Sequence, residues 1–255
     1  MPKKQIPILL LLLIWLLAGC TGAQFHLIVP MTPTPTQATD ELYSTPDEAV
    51  TAYFAALSQA DPTKLLQASA VEEMSERFDF AASIDRLQAF LPTQSLAPTA
   101  DPFYVELNKI QLSSQILNQV KMFSYSLLSQ EAVDKGSPII QMGAERVAQF
   151  QHDVDPSRLA AIQVERIDLP NKAIMQESKY LENAAKIARI YGADEMTERV
   201  VLFSFEEKEY LLGFTLLRYG ETWKISSATS PLAGTSATGV AQPTTLEEFE
   251  SMTSQ

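Results

Sequence analysis

Few side chains in this 255-residue chain have the chemistry of a reactive centre: there is one cysteine, Cys20, and there are two histidines, His26 and His152. His152 stands in Gln151-His152-Asp153-Val154-Asp155-Pro156, and one imidazole with two carboxylates is the beginning of a metal-ligand set. Transition-metal centres need three or four converging ligands, and no second His-rich spacing exists. A calcium loop needs more oxygen ligands at alternating positions and a glycine turn. The segment therefore reads as a solvated turn in which Asp155 precedes Pro156 and caps the next segment, and neither a metal nor a cofactor is expected. Serines are numerous, but none lies in a Gly-x-Ser-x-Gly elbow and neither histidine has a place beside one, which argues against triad-type hydrolysis. His26 lies in a stalk where nothing rigid orients it.

Cys20 has a more specific setting. Lys3 and Lys4 precede residues 6–19, a run without charge. A spanning helix needs about 20 apolar residues to cross a bilayer core of about 30 Å, so this run reads as a removable export signal. Its end, Leu17-Ala18-Gly19-Cys20, resembles the bacterial lipobox, in which the thiol is acylated by diacylglycerol before cleavage leaves the cysteine as the new N-terminus. The resemblance implies a lipoprotein of the bacterial cell envelope, anchored to the membrane by its N-terminal lipid and held outside the cytoplasm. It would sit on the outer face of the cell membrane, or at the outer membrane of a two-membrane cell, because Thr21 rather than aspartate comes after Cys20. As the only cysteine, Cys20 provides no intramolecular disulfide, and stability must come from burial.

The chain carries a formal charge of −12, and removing residues 1–19 leaves 17 Lys+Arg against 31 Asp+Glu, or −14. Such a surface repels phosphates, so nucleic acid is not expected as a partner. Composition divides the chain into a signal peptide (1–19), a lipid anchor and Pro/Thr-rich spacer (20–44), a single α+β domain (45–228) and a flexible C-terminal tail (229–255). The spacer contains Thr32-Pro33-Thr34-Pro35-Thr36, where proline favours extended backbone. The tail begins with uncharged residues 230–242, rich in Ser, Thr, Ala and Gly. Thr244 stands three before Glu247 in capping-box spacing, which allows a short acidic helix there.

Within the body, Thr45-Pro46-Asp47-Glu48 is a helix start: a threonine cap, proline at the first position, and a glutamate able to reach back to the cap amide. Val50, Tyr53, Phe54 and Leu57 then keep helical spacing. Asp61-Pro62 repeats the start signal for a helix using Leu65 and Leu66, and a third apolar segment, Ile84, Leu87, Phe90 and Leu91, stops at Pro92. From Phe103 the pattern is read as two antiparallel strands, Val105 to Leu112 and Val120 to Leu127, about a turn at Asn118-Gln119. Residues 135–156 are ambiguous, broken by Gly136 and Pro138, with a short helix at 140–150 as one reading. Ile162, Val164 and Ile167 suggest a strand; Tyr180, Leu181, Ala184, Ile187, Ala188 and Tyr191 define a helix closed by Gly192. The end is a three-stranded meander, 200–205, 210–219 and 222–226, with turns at residues 206–209 and Gly220-Glu221. Trp223 and Ile225 share its core face.

Two segments carry a family resemblance. Thr45-Pro46-Asp47-Glu48-Ala49-Val50-Thr51-Ala52-Tyr53-Phe54-Ala55-Ala56-Leu57 with Asp61-Pro62-Thr63-Lys64-Leu65-Leu66 resembles the opening helices of the nuclear-transport-factor-2-like, cystatin-like superfamily, often found in bacterial lipoproteins. Leu216-Leu217-Arg218-Tyr219-Gly220-Glu221-Thr222-Trp223-Lys224-Ile225-Ser226 is similar to its closing hairpin. The resemblance implies an α+β fold, helices packed on a curved, mainly antiparallel sheet that forms a cone, with an inserted strand and long helix between Gly136 and Gly192. That scaffold hosts enzymes, ligand binders and assembly modules alike. Members with isomerase or dehydratase activity use an Asp, His or Tyr inside the cone, and the nearest counterparts are Tyr125, Asp168 and Tyr210, none placed by a motif. The expectation is a non-catalytic binding or interaction module for an envelope protein, a cell-wall component or a small ligand. Tyr53, Phe54, Tyr125 and Trp223 are its pocket or core candidates. The alternative is a small-molecule enzyme with a pocket in the cone.

Overall fold

A computed structural model describes residues 42–129 and 141–254. Cys20, His26, the expected signal and nearly all of the spacer lie outside the described residues, as do Gly136 and Pro138. The described residues form one compact unit that holds three hydrophobic clusters.

Helix α1, Pro46–Ser58, begins where the sequence predicts. The Thr45 hydroxyl accepts from the Glu48 amide, and the Glu48 carboxylate reaches back to the cap. Its Val50, Tyr53, Phe54 and Leu57 are buried. Helix α2, Pro62–Gln67, is capped by Asp61, and α3, Val71–Arg77, comes next. Helix α4, Phe80–Leu87, ends short of Pro92 because Gln88 takes left-handed backbone at φ 50°. Of the third apolar segment, Leu87, Phe90 and Leu91 are exposed.

The largest correction concerns residues 102–128, read from sequence as two strands. They form one helix, α5, Pro102–Leu128. Its start is the same Asp-Pro signal as at Asp61-Pro62: the Asp101 carboxylate accepts from the Phe103 amide at 2.8 Å, and proline at the first position gives up no needed donor. The helical period is carried by Asn108, Leu112, Ile116, Gln119, Phe123 and Leu127, all buried. Two of these six are amides, so hydrophobicity alone misses the face. Asn108 is buried because its side chain bonds both the amide and the carbonyl of Ala97, at 2.8 and 2.9 Å. Gln119, expected in a turn, donates to Ser227 Oγ and the Ala237 carbonyl and accepts from the Ala228 amide, at 2.8, 3.1 and 3.0 Å. Each satisfies backbone groups of a loop packed against the helix.

Helix α6, Ala144–Asp153, and a 3-10 turn, Pro156–Ala161, lead into strand β1, Gln163–Asp168. A short helix α7, Lys172–Met175, precedes α8, Ser178–Ile190, which buries Ala184 and Ala188 but leaves Leu181 exposed. Gly192, at φ 61°, turns the chain out of α8 where a Cβ would collide with Arg77. The meander comes next as β2, Glu195–Phe205, β3, Lys208–Tyr219, and β4, Thr222–Ser227, in the antiparallel order β1-β2-β3-β4. The β2–β3 turn is two residues, shorter than expected. Phe205 pairs with Lys208, and Glu206 and Glu207 both have positive φ, as a right-twisted two-residue hairpin demands.

The sheet is covered on both faces. Tyr210, Leu212, Phe214 and Leu216 of β3 pack with α1 and the second half of α5, through Phe123, Leu127 and Leu128. Leu217 and Tyr219 belong to a cluster with Val71 and Met74 of α3, Ala184 and Ala188 of α8, and Leu112 and Ile116 of α5. Helix α5 therefore serves both cores. The edge of β4 is closed by the chain joining α2 to α3, where Ala70 N donates to the Ile225 carbonyl and Ile225 N to the Ala68 carbonyl, at 2.8 and 3.0 Å.

Residues 229–254, expected as a flexible tail, pack against the sheet. A short strand β5, Gln242–Pro243, pairs with β3, and helix α9, Leu246–Thr253, buries Phe249 on Val200, Leu202 and Leu211. The capping box of α9 uses Thr245 and Glu248, one residue later than the sequence reading. Packing of the tail depends on Gly213 in β3: a Cβ there would stand 2.5 Å from the Ser230 amide and overlap the Thr235 hydroxyl.

This packing makes two substitutions informative. Phe54→Ala removes a ring between the sheet and α1 and should lower unfolding free energy by about 3–5 kcal/mol, read from denaturant midpoints; a loss under about 1 kcal/mol would place the core elsewhere. Gly213→Ala should leave the body folded by circular dichroism but expose residues 229–254 to limited proteolysis, whereas the unsubstituted protein keeps them.

Candidate functional site

The cone interior is filled by aromatic rings. Tyr53 lies edge-on to Phe214 at 5.2 Å between centroids, and Phe54 packs on Phe203 and Phe214 at 5.4 and 5.9 Å. Burial pushes the Tyr53 phenol well above its ordinary pKa, so it remains neutral. Trp223 is buried in the same cluster, with the Arg218 guanidinium 5.9 Å from its ring. Tyr125 is not on a strand. It lies half-buried on α5 with its ring 5.1 Å from Phe150. The structure thus brings Tyr53, Phe54 and Trp223 together as core and leaves Tyr125 apart from them.

The counterparts considered for enzymatic chemistry are each engaged in a different way. Asp168 is bonded to Lys172 at 3.0 Å and Arg166 at 3.4 Å. Burial raises its pKa, but Lys172, the Leu169 amide and Arg166 outweigh this and hold the carboxyl below its ordinary value. Tyr210 is stacked on Phe203 at 5.6 Å, and desolvation followed by the nearby Glu206 raises its phenol. None of the three lines the cleft beside α5. His152 and Asp153 lie in the last turn of α6 rather than in a loop, with the imidazole side chain 85% exposed. Asp155 caps the adjoining 3-10 turn through the Ser157 amide at 3.0 Å. Among the described residues no three His, Cys, Asp or Glu side chains gather around a point that could hold a metal ion.

A buried acid that sequence reasoning did not single out is Glu198 on β2. One carboxylate oxygen accepts from Ser230 Oγ at 2.5 Å and the Leu232 amide at 3.0 Å, and the other from the Tyr180 hydroxyl at 3.3 Å. The Tyr180 phenol is raised well above its ordinary pKa, by burial first and then by the Glu198 charge. Ser230 is fully buried, so no substrate reaches it. The group pins the tail to the sheet. In the sequence Glu198 stands among Glu195, Thr197 and Arg199, ahead of the apolar run that begins at Val200, and nothing there marks it as buried.

The open site is a cleft of about 790 Å³ beside α5, within the usual range for ligand pockets. One wall is α4 and the segment after it, with Leu87, Leu91 and Gln94. The other is α5, with Gln111, Gln115 and Asn118, and the end of the sheet contributes Thr215, Ser226 and Ser227. Met74, Phe78, Leu96 and Leu112 supply apolar surface. No acid, lysine, arginine or histidine lines it. Tyr191 is its one titratable group, and burial raises that phenol above its ordinary pKa, only partly offset by Arg86. Several polar groups are already used: Gln111 Nε2 donates to the Gln94 carbonyl at 3.2 Å and Ser226 Oγ to the Thr215 carbonyl at 3.0 Å. Gln115 and Asn118 bear exposed amides directed to solvent or ligand rather than to other described side chains. Amides and hydroxyls over an apolar floor can bind a neutral polar molecule, and they hold no general acid or base near neutral pH. The amide-rich run from Gln111 to Gln119 is the sequence signal for this wall, obscured when the segment is read as strand and turn.

Comparison with protein-family models finds no match, and none of the curated proteins matches. Among solved structures, a cystatin-like protein from Ruminococcus gnavus ATCC 29149 is similar, with a TM-score of 0.55 and 19% sequence identity. The similarity covers 78% of this chain and 44% of that one, so the chain matches less than half of that structure's length. At this identity the likeness speaks to fold, and it agrees with the helices and antiparallel sheet described above. The chain has a cystatin-like α+β fold.

Proposed function

We propose that the protein is an envelope lipoprotein, tethered through a lipid on Cys20, whose cystatin-like body binds an uncharged, hydroxyl- or amide-rich ligand in the cleft beside α5 and does no chemistry on it. The observation that carries the binding reading is the lining of the cleft: amides and hydroxyls above Phe78, Met74 and Leu112, with no carboxylate, ammonium, guanidinium or imidazole. A pyranose ring has the matching character, a rim of hydroxyls around apolar C–H faces, so neutral glycan of the kind found in a cell wall is the preferred ligand class. The ring-filled cone counts against the enzyme alternative, since a substrate there would have to displace Tyr53, Phe54 and Phe214. The tether is supported by Lys3, Lys4, the uncharged run 6–19 and Leu17-Ala18-Gly19-Cys20.

Each half has its own measurement. Cys20→Ser should abolish lipid labelling and leave uncleaved precursor; a variant with unchanged mass and membrane partitioning would remove the tether. For the cleft, the body titrated calorimetrically with neutral N-acetylglucosamine oligomers should release heat. Gln115→Leu and Asn118→Leu should each weaken binding by about tenfold, the worth of a lost hydrogen bond to ligand plus an amide's replacement. Tighter binding of an anionic oligosaccharide, or affinity indifferent to both substitutions, would overturn the reading.

A further inference from the structure

The outer face of α5 bears an apolar stripe that the described body leaves open. Phe103 is 64% exposed, Leu107 43% and Ile110 65%. With Ser114 and Leu117 they keep a 4-3-4-3 spacing along the helix. That is the seam of two packed helices rather than a scatter of surface side chains. The charges along the seam are of opposite sign at its two ends, Glu106 on one side and Lys121 on the other. Both line the same shallow groove as Ile110, Ser113, Ser114 and Leu117. Lys109, between them, is already held by Glu72 at 2.5 Å. Glu106 adds, after Glu72, to the field that raises the Lys109 pKa, but neither Glu106 nor Lys121 forms a contact ion pair among the described residues.

We propose that this face docks a second copy of the same chain, α5 against α5, antiparallel about a two-fold axis between Ser113 and Ser114. A two-fold interface uses one patch twice, so the patch must complement itself. This one does. Glu106 and Lys121 are equally far from the serine pair in sequence, as are Ile110 and Leu117. Antiparallel pairing about that centre therefore sets Ile110 against the partner's Leu117 and Glu106 against the partner's Lys121, each contact occurring twice. The serines at the crossing are small enough for close approach of the two helices. An unrelated partner or a lipid surface would use the apolar stripe but gives no reason for this symmetry of charge, and a chain of net charge −12 is repelled by anionic head groups.

The test is sedimentation equilibrium of residues 40–255, the compact unit with its own core, which contains no cysteine. A concentration-dependent dimer is expected below about 500 µM. Glu106→Lys alone and Lys121→Glu alone should each weaken it by about tenfold or more, since each places two like-charge contacts in the interface. The two together should return it to within about threefold of the starting affinity. Ile110→Glu should leave a folded monomer, and Ser114→Cys should cross-link dimer on mild oxidation. A monomer throughout the range overturns the proposal, as does a charge-exchanged double variant no better than either single one. Binding of neutral phosphatidylcholine vesicles through Ile110 without self-association would overturn it too, and assign the face to a membrane.

Discussion

Strand β3 is buried on both sides, and the rest of the molecule is arranged to meet that constraint. From Tyr210 to Leu217 every residue is buried, with alternate side chains directed to opposite faces. One layer of helices cannot cover such a strand. Helix α1 and the end of α5 take one face; α3, α8, the start of α5 and, through Phe249, α9 take the other. Gln119 stands where α5 passes from one core to the other, and its amide satisfies Ser227, Ala228 and Ala237 at that crossing. An apolar residue there would leave the Ala228 amide without its acceptor, a cost of about 1–3 kcal/mol for a buried group. A small number of buried polar side chains thus fix how the helices and the tail seat on an otherwise apolar sheet.

The same arrangement decides where a ligand can go. The face of the sheet toward α1 is occupied by Tyr53, Phe54, Phe123, Phe203 and Phe214. The free volume lies at the flank, where α4 ends early at Gln88 and the segment after it shares a cleft with α5. Apart from the buried Tyr191 phenol, that flank is lined by side chains that do not ionise. Except for the buried Glu198, charge on this acidic protein lies largely toward the surface, in pairs such as Arg199 with Asp47 at 2.7 Å and Arg158 with Glu206 at 2.6 Å. These join distant parts of the chain but are too exposed to contribute much to stability.

Local signals are legible wherever a short stretch carries its own chemistry. Thr45-Pro46-Asp47-Glu48 specifies a cap, a first turn and a reciprocal bond within four residues, and α1 begins at the expected residue. The meander is legible because runs of strand-forming residues and the Gly220-Glu221 reversal are nearest-neighbour features. The reading fails at α5 because two of its six buried positions are Asn108 and Gln119, whose burial is justified only by loops 11 and 109 residues away. It fails at the tail for the same reason. Ser230, Val240 and Ala241 look like linker residues until Glu198 and Gly213 supply an acceptor and a space.

By itself the sequence determined the acidic balance, the opening helices and the closing hairpin, because each rests on residues close together in the chain, and the resemblance carried by those two segments implied the α+β fold that the structure shows. Only the tertiary structure decided that the cone is full, that residues 102–128 are one helix, that the tail is part of the body, and that the open cleft is uncharged. Those four outcomes depend on which polar groups find partners across the fold, and a polar side chain does not announce in its own sequence neighbourhood whether its partner will be water or a distant backbone amide.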